Sequence, residues 1–262
     1  IRADGSDCFE RYDPTSTGPN LLPWVELMYY RQFGDIDRLH KVFPALCAYA
    51  KWWRLNRTWP DGTYWSSGWG TGMDNMPRVK PEYNPIFSHG HMVWLDTNLQ
   101  QMLVDESLLN IGFYIERWQE IEDMEDEMKR LRAYVNEHLW DERTAFLYDR
   151  YGDGTLCTTK GIGAFWALQA DALDKERLDR MVAHLSDTTE FDRPHRVPSL
   201  SADHPKYNPL GRYWQGGVWP GTNYMTIDGL YRKGYHDLAR EIAANHYAAV
   251  SVSYTHLRAH ET

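Results

Sequence analysis

The sequence is poor in the features that would mark several common functions. Its 262 residues hold only three cysteines, Cys8, Cys47 and Cys157. These are too few and too scattered for a disulfide framework or a tetrahedral zinc site. They read as free thiols of a reducing compartment, which favours a cytoplasmic location. No apolar run approaches the roughly 20 residues that span a bilayer, and no signal-peptide pattern opens the chain. Basic charge is also short: 28 Lys and Arg face 37 Asp and Glu, a formal net charge of −9. A nucleic-acid or anionic-membrane partner is therefore not expected, because a phosphate backbone calls for a concentrated positive surface. No glycine loop precedes a Lys-Ser or Lys-Thr pair, and no Gly-x-Ser-x-Gly elbow occurs. His89-Gly90-His91 invites a metal reading, yet no third ligand has suitable spacing, and a helix start with exposed histidines is the better account. No metal or cofactor is called for.

What is present is aromatic. The chain carries 12 Trp and 17 Tyr within an otherwise ordinary globular composition of 42% hydrophobic and 25% charged residues. The length suits one large domain or two small ones with a substantial core. Both ends look cut. Ile1 is not an initiator methionine, and the run to Asn20 contains turn residues but no helix pattern. Val252 to Thr262 resembles the translation of a sequencing-library adapter, so residues 252–262 are expected to be a non-native tail and 1–251 the domain proper.

Apolar spacing at 3, 4 and 7 residues recurs, and strand-like alternation is scarce. The pattern predicts helices at Leu21–Phe33, Ile36–Leu55, His91–Asn110, Ile115–Leu139, Ile162–Ala170, Lys175–Leu185, Thr222–Arg232 and Tyr235–Val250. Phe146–Tyr151 followed by Gly152-Asp153-Gly154 is the one plausible hairpin of strands. The acidic run Glu120 to Glu127 reads as a solvated helix face. Tyr30-Arg31-Gln32-Phe33-Gly34-Asp35 and Tyr231-Arg232-Lys233-Gly234-Tyr235-His236 form a weak repeat. Each joins a helix, a glycine stop and a return helix, the unit of an all-α toroid or solenoid. The connections Asn56–Gly90 and Ser186–Gly221 are too long to be idle, and function is expected on their side, opposite the short glycine turns.

The first connection contains Trp65, Trp69, glycines at 68, 70 and 72, and then Asp74. An acid beside tryptophans has its charged form disfavoured by desolvation and can serve as a general acid. A capping role for Asp74, ion-paired to Arg78 four residues on, remains open on spacing alone. The second connection contains Arg196 to Asp203 and then Gly211-Arg212-Tyr213-Trp214-Gln215-Gly216-Gly217-Val218-Trp219. Aromatic plates interleaved with hydrogen-bonding groups suit a sugar, which has an apolar C–H face and a rim of hydroxyls.

The string GWGTGMDNMPR resembles the general-acid segment of the trehalase-like glycosidases. VPSLSADHP and YWQGGVWPGTNYM resemble their sugar-binding segment, and NLLPWVELMYYRQFGD their early helix pair. The similarity runs from Asn20 to Val250 and points to glycoside hydrolase family 63, with its mannosylglycerate-hydrolase-like and trehalase-like relatives. It implies an (α/α)6 toroid, incomplete here, and inverting hydrolysis of an α-glycosidic bond of trehalose, glucoside or mannosylglycerate type. By residue matching, Asp74 is the expected acid. Tyr213, Trp214, Gln215, Gly216 and Trp219 are the expected substrate contacts, and Trp69, Asn75 and Arg78, which flank the acid, are expected to bind substrate with them. The implied general base, a glutamate after the last helix pair, has no counterpart; Glu26, Glu82 and Asp203 do not occupy its place. The partner implied is a small carbohydrate. Two other functions fit the same plates: a non-catalytic carbohydrate-binding domain, and a sugar epimerase working through paired histidines.

Overall fold

The structure is a computed structural model that describes residues 18–259, with side chains through Val252. Cys8 lies outside the described residues; Cys47 and Cys157 are free and buried. α1 (Leu22–Phe33) has proline in its first turn, where a missing N–H costs nothing. It stops at Gly34, whose φ of 70° lets its N–H return to the Tyr30 carbonyl. Asp35 accepts a hydrogen bond from the Arg38 N–H and so opens α2 (Ile36–Asn56). Leu39, Phe43, Leu46, Ala50 and Trp53 recur on the buried face of α2 at helical spacing. After the single turn α3 (Gly68–Thr71) and strand β1 (Met92–Val93) comes α4 (Leu95–Ile115), covered on nearly every side.

α5 (Met124–Tyr134) runs into a π-helical turn, Val135–Leu139. Strands β2 (Trp140–Asp141) and β3 (Phe146–Leu147) pair antiparallel, while β4 (Arg150–Tyr151) pairs with β1. A 3-10 turn leads into α6 (Ala167–Ala170), and Asp174 caps α7 (Lys175–Ala183). α8 (Pro220–Arg232) and α9 (His236–Ala259) end the described chain. Of the expected tail, residues 252–259 continue α9 and 260–262 lie outside the described residues.

Among the described residues, α1/α2, α4/α5 and α8/α9 pack as helical hairpins, and α6 is followed after a short turn by α7. The first members pack in the order α1, α4, α6, α8; α2 backs α1 and α4, α5 backs α4, and α9 backs α8. One apolar cluster, including Trp24, Leu99, Phe146, Phe165 and Leu230, runs between the rows. A second, including Leu39, Phe43, Leu108 and Ile111, fills the space between α2 and α4. Among the described residues, no helix is long and apolar enough to cross a membrane.

Three expected elements move. The third helix starts at Leu95 and not at His91, because His91 takes φ 47° and the next two residues are held by β4. The fourth starts at Met124 and not at Ile115: Glu116, in the left-handed region at φ 56°, ends α4. The expected hairpin splits, its first half pairing with β2 and its second with β1. The Gly152–Gly154 turn does form, closed by the Tyr151 N–H to the Thr155 carbonyl. The acidic face is not wholly solvated either: Glu127 is buried and accepts hydrogen bonds from Tyr64 Oη and Arg54.

Candidate functional site

The two long connections meet. In the first, Ser67 caps α3 and Gly72, at φ 72°, ends it. Gly68 is pressed against the returning chain: a Cβ there would lie 2.2 Å from the Pro85 carbonyl oxygen. The backbone then turns, with the Met76 N–H on the Met73 carbonyl, and presents Asp74 and Asn75, both half-buried.

Arg78 fastens this turn from below. Its guanidinium donates through Nη1 and Nη2 to Asp96 and through Nε and Nη2 to Asp149, at 2.6–2.9 Å, with Trp94 flat beneath it at 4.3 Å. Burial works against its charge, and the two carboxylates overcome that, so its pKa rises above the ordinary value. The Pro77 carbonyl accepts from Thr159 Oγ1 and the Arg78 carbonyl from Tyr151 Oη. Arg78 is thus corrected from an expected substrate contact to a buried anchor. It is not an ion partner of Asp74.

In the second connection, Arg212 and Tyr213 both adopt positive φ, 35° and 66°. Gly216 sits at φ 144°, where a Cβ would lie 2.4 Å from the Asn208 carbonyl oxygen. The turn docks on the first loop. Tyr213 Oη donates to Asp74 Oδ2 at 2.8 Å. Asn75 Nδ2 donates to the Arg212 carbonyl at 3.0 Å, and the Trp214 N–H donates to Asn75 Oδ1 at 2.8 Å. Gln215 Nε2 reaches the Asn75 carbonyl at 3.3 Å. The bond to Asp74, together with desolvation, pushes the Tyr213 phenol above its ordinary pKa.

Behind the turn, Trp214 and Trp219 stack at 4.5 Å with 12° between planes. They form one wall of a cleft of about 420 Å³, completed by Trp24, Met73, Gln100 and Trp166. Asp74 and Tyr213 are not in the lining, but each is the chain neighbour of a residue that is, Met73 and Trp214.

The neighbourhood of Asp74 differs from expectation. Trp65 packs on Trp59, His89 and Arg57, and half-exposed Trp69 lies over Phe87. The ring that touches the acid is Tyr213, a donor and not an apolar wall. Asp74 follows α3 and caps no helix. Gly216 is buried under Tyr207 and supplies the turn. Among the described residues, the cleft lining contains neither carboxylate nor histidine. Glu26 pairs with Arg38, Asp203 with Lys160 and Ser201, and Glu82 is exposed.

Sequence reasoning missed Asp96, Asp149, Trp24 and Trp166. The tryptophans sit at helical spacing that reads equally as core. The aspartates belong to different elements, and nothing in the sequence pairs them with Arg78.

Known proteins place this arrangement. The model of the mannosylglycerate hydrolase MGH1-like glycoside hydrolase domain matches residues 10–258. An uncharacterized protein of Borreliella burgdorferi is 25% identical over 228 residues, 86% of this chain and 46% of its own length. The chain thus spans about half the length of that relative. The mannosylglycerate hydrolase of Rubrobacter radiotolerans is 32% identical over 113 residues, 40% of this chain and 24% of the relative. Among solved structures, a GH63 mannosylglycerate hydrolase from Thermus thermophilus, in complex with glucose, superposes with a TM-score of 0.77 at 20% identity. The match covers 94% of this chain and 70% of that one. The fold is that of the (α/α)6 toroid enzymes. Since the domain model spans almost the whole chain, the protein belongs to the mannosylglycerate hydrolase MGH1-like glycoside hydrolase domain family.

Proposed function

We propose that this domain hydrolyses an α-glycosidic bond with inversion of configuration, with Asp74 as general acid. The observation that carries this reading is a carboxyl group held by the Tyr213 phenol beside a tryptophan-walled cleft. Tyr213 occupies Oδ2. Oδ1 accepts no hydrogen bond from the described residues and is the oxygen that would carry the proton to the departing glycosidic oxygen. The stacked pair Trp214 and Trp219 gives the apolar face of the sugar a plate, and Gln100 lies on the same cleft for its hydroxyls.

Inversion calls for a second carboxylate about 6.5–9.5 Å from the acid, activating water on the far side of the ring. The described lining offers none, so the base is contributed from outside those residues. Substrates of mannosylglycerate, trehalose or α-glucoside type are the candidates that the family reading offers. Asp74→Asn is expected to lower turnover by roughly 10²–10⁴-fold, read as free sugar released from a panel of these glycosides. NMR of the first-formed anomer checks inversion. A full rate in Asp74→Asn would sink the assignment.

That no carboxylate lines the cleft among the described residues favours one further reading, a domain that binds sugar without turning it over. Saturable quenching of tryptophan fluorescence by disaccharide, lost in Trp214→Ala with no sugar release, would establish it.

A further inference from the structure

Asn75 sits next to the acid, yet its side chain is not turned to the cleft. Both ends of its amide are engaged by backbone: Nδ2 donates to the Arg212 carbonyl, and Oδ1 accepts from the Trp214 N–H. These groups belong to the two peptide units on either side of Tyr213. One side chain therefore fixes both peptide planes that orient the Tyr213 ring. The need for such a clamp is visible in the backbone, because Arg212 and Tyr213 are consecutive non-glycine residues at positive φ. Such conformations persist only where the surroundings impose them. The Arg212 side chain is exposed and gives the turn no packing of its own.

We propose that Asn75 is a positioning residue that brackets Tyr213 and thereby sets the phenol on Asp74. Only a primary amide of this length does both jobs. Aspartate would set a carboxylate oxygen against the Arg212 carbonyl, alanine would leave both groups free, and glutamine carries one methylene too many. Because Asp74 and Asn75 are adjacent, three hydrogen bonds from two successive residues fix the acid and its phenol in register across a separation of 139 residues. Asn75, which lies in the segment that resembles the general-acid segment, thus acts on the turn that carries Tyr213. Its consequence for hydrolysis rests on the glycosidase reading; the clamp itself does not.

The test follows the Tyr213 phenol directly. With tyrosine labelled at Cζ with ¹³C, the Tyr213 resonance is assigned by its loss in Tyr213→Phe, and its titration is followed by NMR. In the unsubstituted chain it titrates above an ordinary phenol, near 10. Asp74→Asn lowers that midpoint by weakening the hydrogen bond that holds the phenol proton and removing the negative charge that disfavours the phenolate. Asn75→Ala and Asn75→Ser lower it too, with helical circular dichroism unchanged, and Asn75→Asp does the same. Gln215→Ala, which removes the side-chain amide that donates to the Asn75 carbonyl, leaves it in place. If Asp74→Asn moves the midpoint while Asn75→Ala and Asn75→Ser do not, the clamp is overturned. If Asp74→Asn itself does nothing, the Tyr213–Asp74 pairing is overturned, and the clamp with it. In a hydrolytically active form of the protein, Asn75→Ala lowers kcat by up to roughly 10²-fold, the scale of a 1 Å misplacement, with KM nearly unchanged. Full hydrolysis by Asp74→Asn would remove the glycosidase reading and leave the Asn75 titration result standing.

Discussion

Asp74 and Asp149 are 75 positions apart in sequence and are treated in opposite ways. Asp74 is half-buried, and among the described residues its side chain accepts a hydrogen bond from a neutral phenol. Asp149 is buried, bonded twice to Arg78 and once to the Leu95 N–H. Asp149 is committed to holding the loop, whereas Asp74 bonds a side chain of the facing loop. Arg78 lies four positions after Asp74, so the anchor is close enough to steady the proposed acid without touching it. Placing a reactive group on a supported loop is the general solution for a site that must be both exposed and accurate.

Substitutions at the two carboxylates and at their surroundings should separate these roles, most clearly in stability. Arg78→Met leaves Asp96 and Asp149 buried without their partner and should cost about 3–5 kcal/mol in urea unfolding. Neutralising both carboxylates in the same chain should recover part of that loss. If Arg78→Met alone shifts the midpoint no more than a surface change does, the anchor is not structural and the contrast with Asp74 collapses. Gly216→Ala forces a Cβ onto the Asn208 carbonyl at a φ that suits glycine, and about 1–3 kcal/mol is expected. That variant should also loosen the Trp214–Trp219 stack, seen as a weaker near-ultraviolet tryptophan signal.

A smaller effect, of opposite sign, is expected at Asp105. This residue is buried, one of its oxygens has no partner, and desolvation followed by the charge of Glu127 raises its pKa. The folded state then holds the proton more tightly than the unfolded chain. Stability is therefore lost as pH rises from the ordinary carboxyl value of about 4 through the folded-state pKa. Asp105→Asn should be the more stable protein at neutral pH and flatten the dependence of the urea midpoint above about pH 4. An unchanged slope would refute this. Asp74→Asn should be the smallest of all, within about 0.5 kcal/mol of the parent, even if it ends turnover. A large loss there would show that Asp74, like Asp149, holds the structure together.

The helical hairpins were legible in the sequence because apolar spacing and glycine stops are local signals. Gly34 and Gly234 end their helices as the repeat implied. The starts of α4 and α5 were less so, because His91 and Glu116 take left-handed backbone that no spacing rule announces. The candidate site could be narrowed to two loops, since glycines, tryptophans and a carboxylate concentrate there. Which atoms meet could not be read. That Tyr213 bonds Asp74 and Arg78 turns away depends on contacts between residues 71 to 139 positions apart.

That same distance bears on how the molecule is made. Helical hairpins close within a few dozen residues, whereas the bond from Tyr213 to Asp74 spans 139. Long closures pay their entropy before they gain contacts, so they form late. The cleft should therefore be the last part of the domain to organise, after α8 has docked. Helical signal would lead and the stacked indoles would follow in refolding. A chain released early would have its scaffold before its chemistry.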